Sequence, residues 1–125
     1  MAHILVIDDE AALRKVISLA LTGRGDRVSQ AENGRVAIQL LRSGTFDLVI
    51  TDLLMPEQDG IETIIALRQN LPPTPVIAMS GAPNNSALYL EIAQRLGVRR
   101  TLAKPFDISE LITAVDEVLE RVCPA

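Results

Sequence analysis

Three aspartates give the clearest chemical signal in the sequence, because each stands close to the end of a short apolar run. Asp8 and Asp9 follow the apolar residues 4–7, and Asp52 follows residues 48–50 after one threonine. A carboxylate oxygen can attack phosphorus and form an aspartyl phosphate. Carboxylates that share one crevice repel each other unless a cation compensates them, and Mg²⁺ prefers oxygen ligands of this kind. Taken alone, Asp8 and Asp9 have an alternative as a solvated helix start, and Asp52 as a structural acid. Together the three aspartates suit a site for metal-assisted phosphoryl transfer.

Two more polar residues occupy the equivalent place after other apolar runs. Ser80 follows residues 76–79, and Lys104 follows residues 101–103. A phosphoryl group in transfer spreads its charge over three equatorial oxygens, so a hydroxyl and an ammonium can each bind one of them. Taken singly, Ser80 could instead belong to a turn, and Lys104 could instead be a surface lysine. Their joint occurrence behind separate apolar runs favours the phosphoryl site.

The apolar runs predict the strands that position these side chains. Residues 4–7, 48–50 and 76–79 are apolar on consecutive positions, as in strands that are buried on both faces, and residues 101–103 form a weaker run that begins with a threonine. Residues 27–32 alternate polar and apolar, which predicts an edge strand. Helical periodicity follows each of the five strands, in residues 13–21 before Gly23, 36–41 before Gly44, 61–65 before Pro72, 88–96 before Gly97, and 107–122 with a capping-box-like start at Asp107.

Strand and helix segments thus alternate five times, which predicts one α/β domain over residues 1–125. Such alternation is typical of a mainly parallel, doubly wound sheet with helices on both faces and right-handed crossovers. Ligands of open α/β sheets bind outside the carboxyl ends of the strands. We therefore expect the aspartates, Ser80 and Lys104 to meet at one edge of the sheet.

Composition excludes several other functions. Apolar residues make up 48% of the chain, aromatic residues 2%, and the net charge is −4. A chain with so few aromatic and basic residues is unsuited to base stacking or phosphate-backbone binding, so direct nucleic-acid binding is not expected. One cysteine rules out an internal disulfide. No membrane-length apolar stretch or secretory leader is visible, which predicts a cytoplasmic protein.

Five separated motifs, in order along the chain, resemble those of the response-regulator receiver domains of two-component signalling, and of single-domain chemotaxis-type regulators among them. The strings are Val6-Ile7-Asp8-Asp9-Glu10, Thr51-Asp52-Leu53-Leu54-Met55-Pro56, Asp59-Gly60, Met79-Ser80-Gly81-Ala82 and Lys104-Pro105-Phe106. The resemblance extends from about residue 2 to residue 122. It implies a flavodoxin-like (βα)5 fold with strand order 2-1-3-4-5.

The resemblance also implies a role for each site residue. Asp52 would be the phosphoacceptor and, with Asp9 and the carbonyl of Leu54, would bind Mg²⁺ or Mn²⁺ directly, while Asp8 would act mostly through water. Ser80 would bind the phosphoryl group and shift inward on activation, and Lys104 would contact that group. Structural positions near the site are Pro56, Gly60, Gly81 and Pro105, the last after a cis peptide bond.

One position departs from the family pattern. Receiver domains commonly have an aromatic residue three positions before the lysine, whereas this chain has Thr101. We therefore expect the switch to involve Ser80, Thr101 and the segment between residues 80 and 104, without rotation of an aromatic ring.

The function implied is that of a phosphoacceptor signalling domain, not an enzyme with a separate substrate. Its phosphoryl donor would be a histidine kinase or a histidine phosphotransfer protein, and phosphorylation would change binding to a downstream protein. No output domain is expected, and homodimerisation stays open. Alternatives are a receiver module excised from a larger hybrid kinase or regulator, and a Mg²⁺-dependent phosphatase with an aspartyl-phosphate intermediate. Leu54 argues against the phosphatase, which usually has an acid two positions after its nucleophile.

Overall fold

A five-stranded parallel sheet forms the centre of the computed structural model, which describes residues 2–52, 74–80, 91, 94–95 and 97–120. Its strands lie in the order β2-β1-β3-β4-β5, and each neighbouring pair is parallel. The strand order and the doubly wound fold predicted from the sequence are thereby confirmed. The strands are β1 (His3–Ile7), β2 (Arg27–Ala31), β3 (Leu48–Asp52), β4 (Val76–Ser80) and β5 (Arg100–Ala103).

Helices cover both faces of the sheet. The described helices are α1 (Ala11–Thr22), α2 (Gly34–Ser43) and α3 (Ile108–Val118). Successive side chains of a strand point to opposite faces, so Ile4 and Val6 pack with the residues of α1 and α3, whereas Leu5 and Ile7 pack with those of α2. Burial on both faces explains why the central strands are apolar without alternation. No described helix has the length and apolar character that crossing a membrane requires.

Local signals explain where the helices begin and end. The side chain of Asn33 accepts the N–H of Val36 at 2.9 Å and caps the start of α2. At the start of α3, the Glu110 carboxylate accepts the N–H of Asp107 at 3.4 Å, as in the predicted capping box. Gly23 follows α1 with a right-handed φ of −62°, and the left-handed residue of this turn is Gly25, at φ 93°. Glycine at residue 25 therefore allows the turn into β2.

Several strand ends differ from the sequence-based boundaries. The predicted third strand ended before Thr51 and the fourth before Ser80, but β3 includes Asp52 and β4 includes Ser80. The reason is continued pairing, since Asp52 lies opposite Met79 and Ser80 lies opposite Ala103. The two polar residues are thus the last members of their strands, which fixes their backbones more firmly than a following loop would.

The remaining helix predictions fall largely outside the described residues. The helix predicted over residues 61–65 lies wholly outside them. Of the helix predicted over residues 88–96, Glu91, Gln94 and Arg95 are described and are helical. Gly97 follows with a φ of 89°, a conformation that favours glycine and suits the end of this helix.

Candidate functional site

The carboxyl edge of the sheet brings together the polar residues that the sequence singled out. Asp8 and Asp9 follow β1, Asp52 ends β3, Ser80 ends β4, and Lys104 follows β5. Asp8, Asp52 and Ser80 are buried, with 0%, 5% and 1% of their surface exposed. Asp9 is exposed. Buried polar groups at this density are costly unless they are paired or used, so the edge has the character of a built site.

The turn between β1 and α1 holds Asp8 at several of its polar atoms. Its N–H donates to the carbonyl of Ala31 in β2 at 3.1 Å, and its Oδ1 accepts the N–H of Glu10 at 2.9 Å. Its carbonyl oxygen accepts Nη1 of Arg14 at 2.6 Å. These contacts fix the backbone that leads directly into Asp9.

Lys104 bridges the first and third strands of the chain. Its Nζ donates to Oδ2 of Asp8 at 2.8 Å and to Oδ2 of Asp52 at 3.2 Å. Its backbone N–H donates to the carbonyl of Ser80 at 2.8 Å, and its peptide bond to Pro105 is cis, as the resemblance implied. The lysine is therefore held from both its main chain and its side chain at the centre of the edge.

The charge balance around Lys104 favours the ammonium form. Burial by itself lowers the pKa of this lysine, because it removes water from the charged group. The hydrogen bond to Asp8 and the charges of Asp52 and Asp8 act in the opposite direction and outweigh burial. The pKa of Lys104 is consequently raised above the ordinary 10.5, so the group is a cation at neutral pH.

The Ser80 hydroxyl is the one polar group of this edge that is buried and lacks a hydrogen-bond partner among the residues that the structure describes. Leaving a buried hydroxyl without a partner costs free energy. Such a group at a site lined by carboxylates and an ammonium is available to bind a further oxygen-containing group.

The three aspartates fit a small divalent cation. One carboxylate oxygen from each of Asp8, Asp9 and Asp52 lies within 4.8 Å of the other two. Two oxygens on opposite sides of a Mg²⁺ ion are about 4.2 Å apart at the usual ligand distance. Small side-chain rotations therefore suffice to bring these hard oxygen donors to one ion, with water completing its shell.

Several predicted site residues lie outside the described part of the chain. They are Leu54, Pro56, Gly60 and Gly81. Thr101 is described and lies in β5, half-buried, opposite Ala78 of β4. Its role as a switch stays a prediction.

The sequence analysis missed one residue of this edge, Arg14. Its signal was present, since an arginine in the first turn of a helix opposes the preference of that turn for acidic residues. A cation at such a position needs a local acceptor, and here the acceptor is the carbonyl of Asp8.

The sequence model of the response regulator receiver domain matches residues 4–116, which include every described residue of this edge. This chain belongs to the response regulator receiver domain family. Receiver domains are signalling domains of two-component systems, and the recognition made from the five sequence motifs is thereby confirmed.

Curated relatives of the receiver domain are regulators of much greater length. The chain is 36% identical over 124 residues to the transcriptional regulatory protein GlrR of Escherichia coli, with 99% of this chain and 28% of that protein aligned. It is 35% identical over 123 residues to the DNA-binding transcriptional regulator NtrC of Azospirillum brasilense, with 98% and 25% aligned. The chain thus spans about a quarter of the length of these relatives.

Solved structures share the fold over nearly the full chain. The chemotaxis protein CheY4 of Vibrio cholerae is 28% identical with a TM-score of 0.86, and the alignment covers 94% of this receiver domain and 98% of that chain. The response regulator TrrA of Thermotoga maritima, in complex with Mg²⁺-BeF, is also 28% identical, with a TM-score of 0.80 and coverage of 94% and 99%.

Proposed function

We propose that this receiver domain accepts a phosphoryl group on the carboxylate of Asp52, in a reaction that requires Mg²⁺ or Mn²⁺. The donor is the phosphohistidine of a sensor kinase or of a histidine phosphotransfer protein. The observation that supports this most strongly is the contact of Lys104 with both Asp8 and Asp52, beside three carboxylates whose oxygens lie within 4.8 Å of one another.

Each step of the reaction has a residue that suits it. An oxygen of Asp52 attacks phosphorus, the bond from phosphorus to the donor imidazole breaks, and its electron pair stays on that nitrogen. Lys104 then binds one phosphoryl oxygen through Nζ, and the Ser80 hydroxyl donates to another. A bound divalent cation supplies positive charge that offsets the carboxylates and the phosphoryl oxygens. The product is an aspartyl phosphate.

The buried hydroxyl of Ser80 links the chemistry to a change of shape. Before phosphorylation this hydroxyl has no partner among the described residues, and the phosphoryl group adds strong acceptor oxygens at the same edge. Movement of Ser80 toward these oxygens would displace the backbone that follows β4. We propose that this displacement, along the segment from Ser80 to Lys104, changes the surface offered to a downstream protein.

A surface for the donor protein lies directly beside the site. A groove of about 380 Å³ is lined by Glu10 of the turn, Leu13 of α1, and Lys104, Pro105 and Phe106 after β5. Val16 and Leu19 of α1 are large apolar residues with 48% and 63% of their surface exposed. We propose that the donor protein binds across this groove and α1, which would place its phosphohistidine next to Asp52.

The receiver activity proposed is the same in a single-domain regulator and in a module of a larger one. The relatives GlrR and NtrC are transcriptional regulators of about four times this length. In a larger protein, phosphorylation of this domain would control the activity of another domain. That activity would not be part of the receiver reaction itself.

Intact-mass measurement after incubation with a small acyl-phosphate donor tests the proposal. The wild type should gain one phosphoryl group in the presence of Mg²⁺ and none when the metal is chelated. Asp52→Asn should gain none. The matched control is Asp47→Asn, because Asp47 stands before the opposite end of the same strand and accepts the N–H of His3 at 2.8 Å, which an asparagine oxygen also does.

Two results would contradict the proposal. One is equal phosphorylation of Asp52→Asn and the wild type. The other is turnover of the donor to free phosphate, with no phosphoprotein at any time, which would favour a phosphatase.

A further inference from the structure

No side chain or backbone group in the described part of the chain holds the carboxylate of Asp9 by a hydrogen bond. Asp9 is exposed and makes no side-chain hydrogen bond to the residues that the structure describes, in contrast to Asp8 and Asp52, which both accept from Lys104. The position of its oxygens therefore depends on the peptide that joins Asp8 to Asp9. A residue that fixes this peptide therefore also positions one of the three carboxylates of the acidic cluster.

Arg14 is the residue that holds this peptide. The strand β1 ends at Ile7, so the carbonyl of Asp8 lies beyond the strand ladder. Nη1 of Arg14 donates to that carbonyl at 2.6 Å, and Nε of the same guanidinium donates to Oε1 of Gln30 in β2 at 3.3 Å. Hydrogen bonds from a charged donor are shorter and stronger than neutral ones.

The two contacts need the planar fork of arginine. Nε binds Gln30 while Nη1 reaches Asp8, so the guanidinium spans from the edge strand β2 to the end of the neighbouring strand β1. A lysine ammonium is a point donor on a flexible stem and lacks the rigid planar fork that binds both acceptors together. Arg14 also brings a positive charge to within one peptide unit of Asp9.

We propose that Arg14 is a positioning residue for the metal-binding carboxylates, and in particular for Asp9. It holds the Asp8–Asp9 peptide in the orientation at which Asp9, Asp8 and Asp52 present oxygens to one cation. This inference rests on the proposed function, because it concerns the affinity of that site for Mg²⁺. Arg14 touches neither the cation nor the phosphoryl group and acts only through the backbone.

Calorimetric titration with Mg²⁺ tests the inference on the full chain, alongside backbone amide NMR of the metal-free protein. Arg14→Ala is expected to weaken Mg²⁺ binding by about tenfold, the lower range for loss of a residue that orients metal ligands. It should also shift the Asp9 and Glu10 amide signals without metal. Arg14→Lys should recover part of the affinity, and Gln30→Ala should lose less than Arg14→Ala, because it leaves the bond to Asp8.

Lys15→Ala is the matched control. Lys15 is exposed and lies next to Arg14 on α1. Its replacement by alanine removes the same charge as Arg14→Ala but leaves the hydrogen bond from Arg14 to Asp8 in place. Its Mg²⁺ affinity should stay within about twofold of the wild type, as expected for a screened surface charge. A loss equal to that of Arg14→Ala would overturn the inference, because long-range charge would then explain both.

The outcomes separate this inference from the proposed function. Mg²⁺ binding by the wild type with unchanged affinity in Arg14→Ala and Gln30→Ala would overturn the role of Arg14 and leave the phosphorylation site standing. A wild type that binds no Mg²⁺ would overturn both. If Arg14→Ala does not fold, as judged by its urea transition, the Mg²⁺ affinities of Arg14→Lys and Gln30→Ala are compared with that of Lys15→Ala. Weaker binding by these two variants than by Lys15→Ala supports the inference, and equal binding overturns it.

Discussion

At the scale of single residues, Lys104 is the centre of the electrostatics of the receiver site. It contacts two of the three carboxylates, and its side chain is only 18% exposed. Sequence reasoning identified Lys104 and the phosphoryl group as its expected target, because a lysine that follows a strand of such a sheet reaches the ligand edge. It did not identify the contact with Asp8, since side-chain partners across 96 residues depend on the packed geometry.

The raised pKa of Lys104 predicts a dependence of stability on alkaline pH. A group whose pKa is higher in the folded state contributes stability that is fully present below its unfolded pKa, about 10.5, and is lost as the pH rises through the folded value. In metal-free solution, the free energy of unfolding of the wild type minus that of Lys104→Met should therefore stay flat from about pH 7 to about pH 10 and fall above that.

Urea denaturation of the two proteins at several pH values measures this difference. A difference that rises between about pH 7 and pH 10 would mean that burial lowers the pKa of Lys104, because the folded state would then release its proton before the unfolded state does. A difference that is still flat well above the ordinary lysine pKa would mean that Asp8 and Asp52 do no more than offset the effect of burial on the ammonium.

At the scale of elements, a partly buried ion pair joins the end of α1 to α3. Nη2 of Arg24, in the turn after α1, lies 2.9 Å from Oδ1 and 2.8 Å from Oδ2 of Asp116 in α3. The side chain of Asp116 is 5% exposed and that of Arg24 is 27% exposed. These two helices cover the same face of the sheet, so the pair fixes their relative position at the end opposite to the phosphorylation site.

Arg24→Met should lower the free energy of unfolding by about 2 kcal/mol, because it removes a charged partner of a buried carboxylate. This value lies below the range for fully buried pairs, since Arg24 is partly hydrated. Urea denaturation measures the change. The double variant Arg24→Met, Asp116→Leu should recover at least half of the loss, since apolar replacements of a buried pair are often neutral.

The exposed pair of Arg95 and Glu91 provides the control. Its members are 79% and 58% exposed and four residues apart on a helix, so Arg95→Met should change the free energy of unfolding by less than about 0.5 kcal/mol. Equal effects of Arg24→Met and Arg95→Met would show that burial of the Asp116 pair adds nothing to stability.

The elements themselves were predictable to different degrees. Consecutive apolar residues identified the buried strands because both of their faces are covered, and the capping box at Asp107 marks the start of α3 in the sequence alone. Strand ends were predicted less well. Asp52 and Ser80 are polar, which suggested loops, but pairing with the neighbouring strand extends β3 and β4 through them.

At the scale of the whole molecule, the order of elements was enough to predict the topology. Right-handed crossovers and the placement of ligands at the carboxyl strand ends are rules of the fold class, so five alternations of strand and helix indicate one shared edge. The rules do not extend to side chains that act through a backbone atom. Arg14 binds a carbonyl, and the identity of the acceptor residue leaves no trace in the residue types around it.

Phosphorylation at one residue is the central claim for the whole domain. An acyl phosphate is reduced by borohydride to an alcohol, so an aspartyl phosphate becomes homoserine at the residue that was modified. Tandem mass spectrometry of the wild type, phosphorylated with a small acyl-phosphate donor and Mg²⁺ and then reduced, should find homoserine at residue 52 only. Homoserine at residue 8, 9 or 47, with aspartate intact at residue 52, would contradict the account.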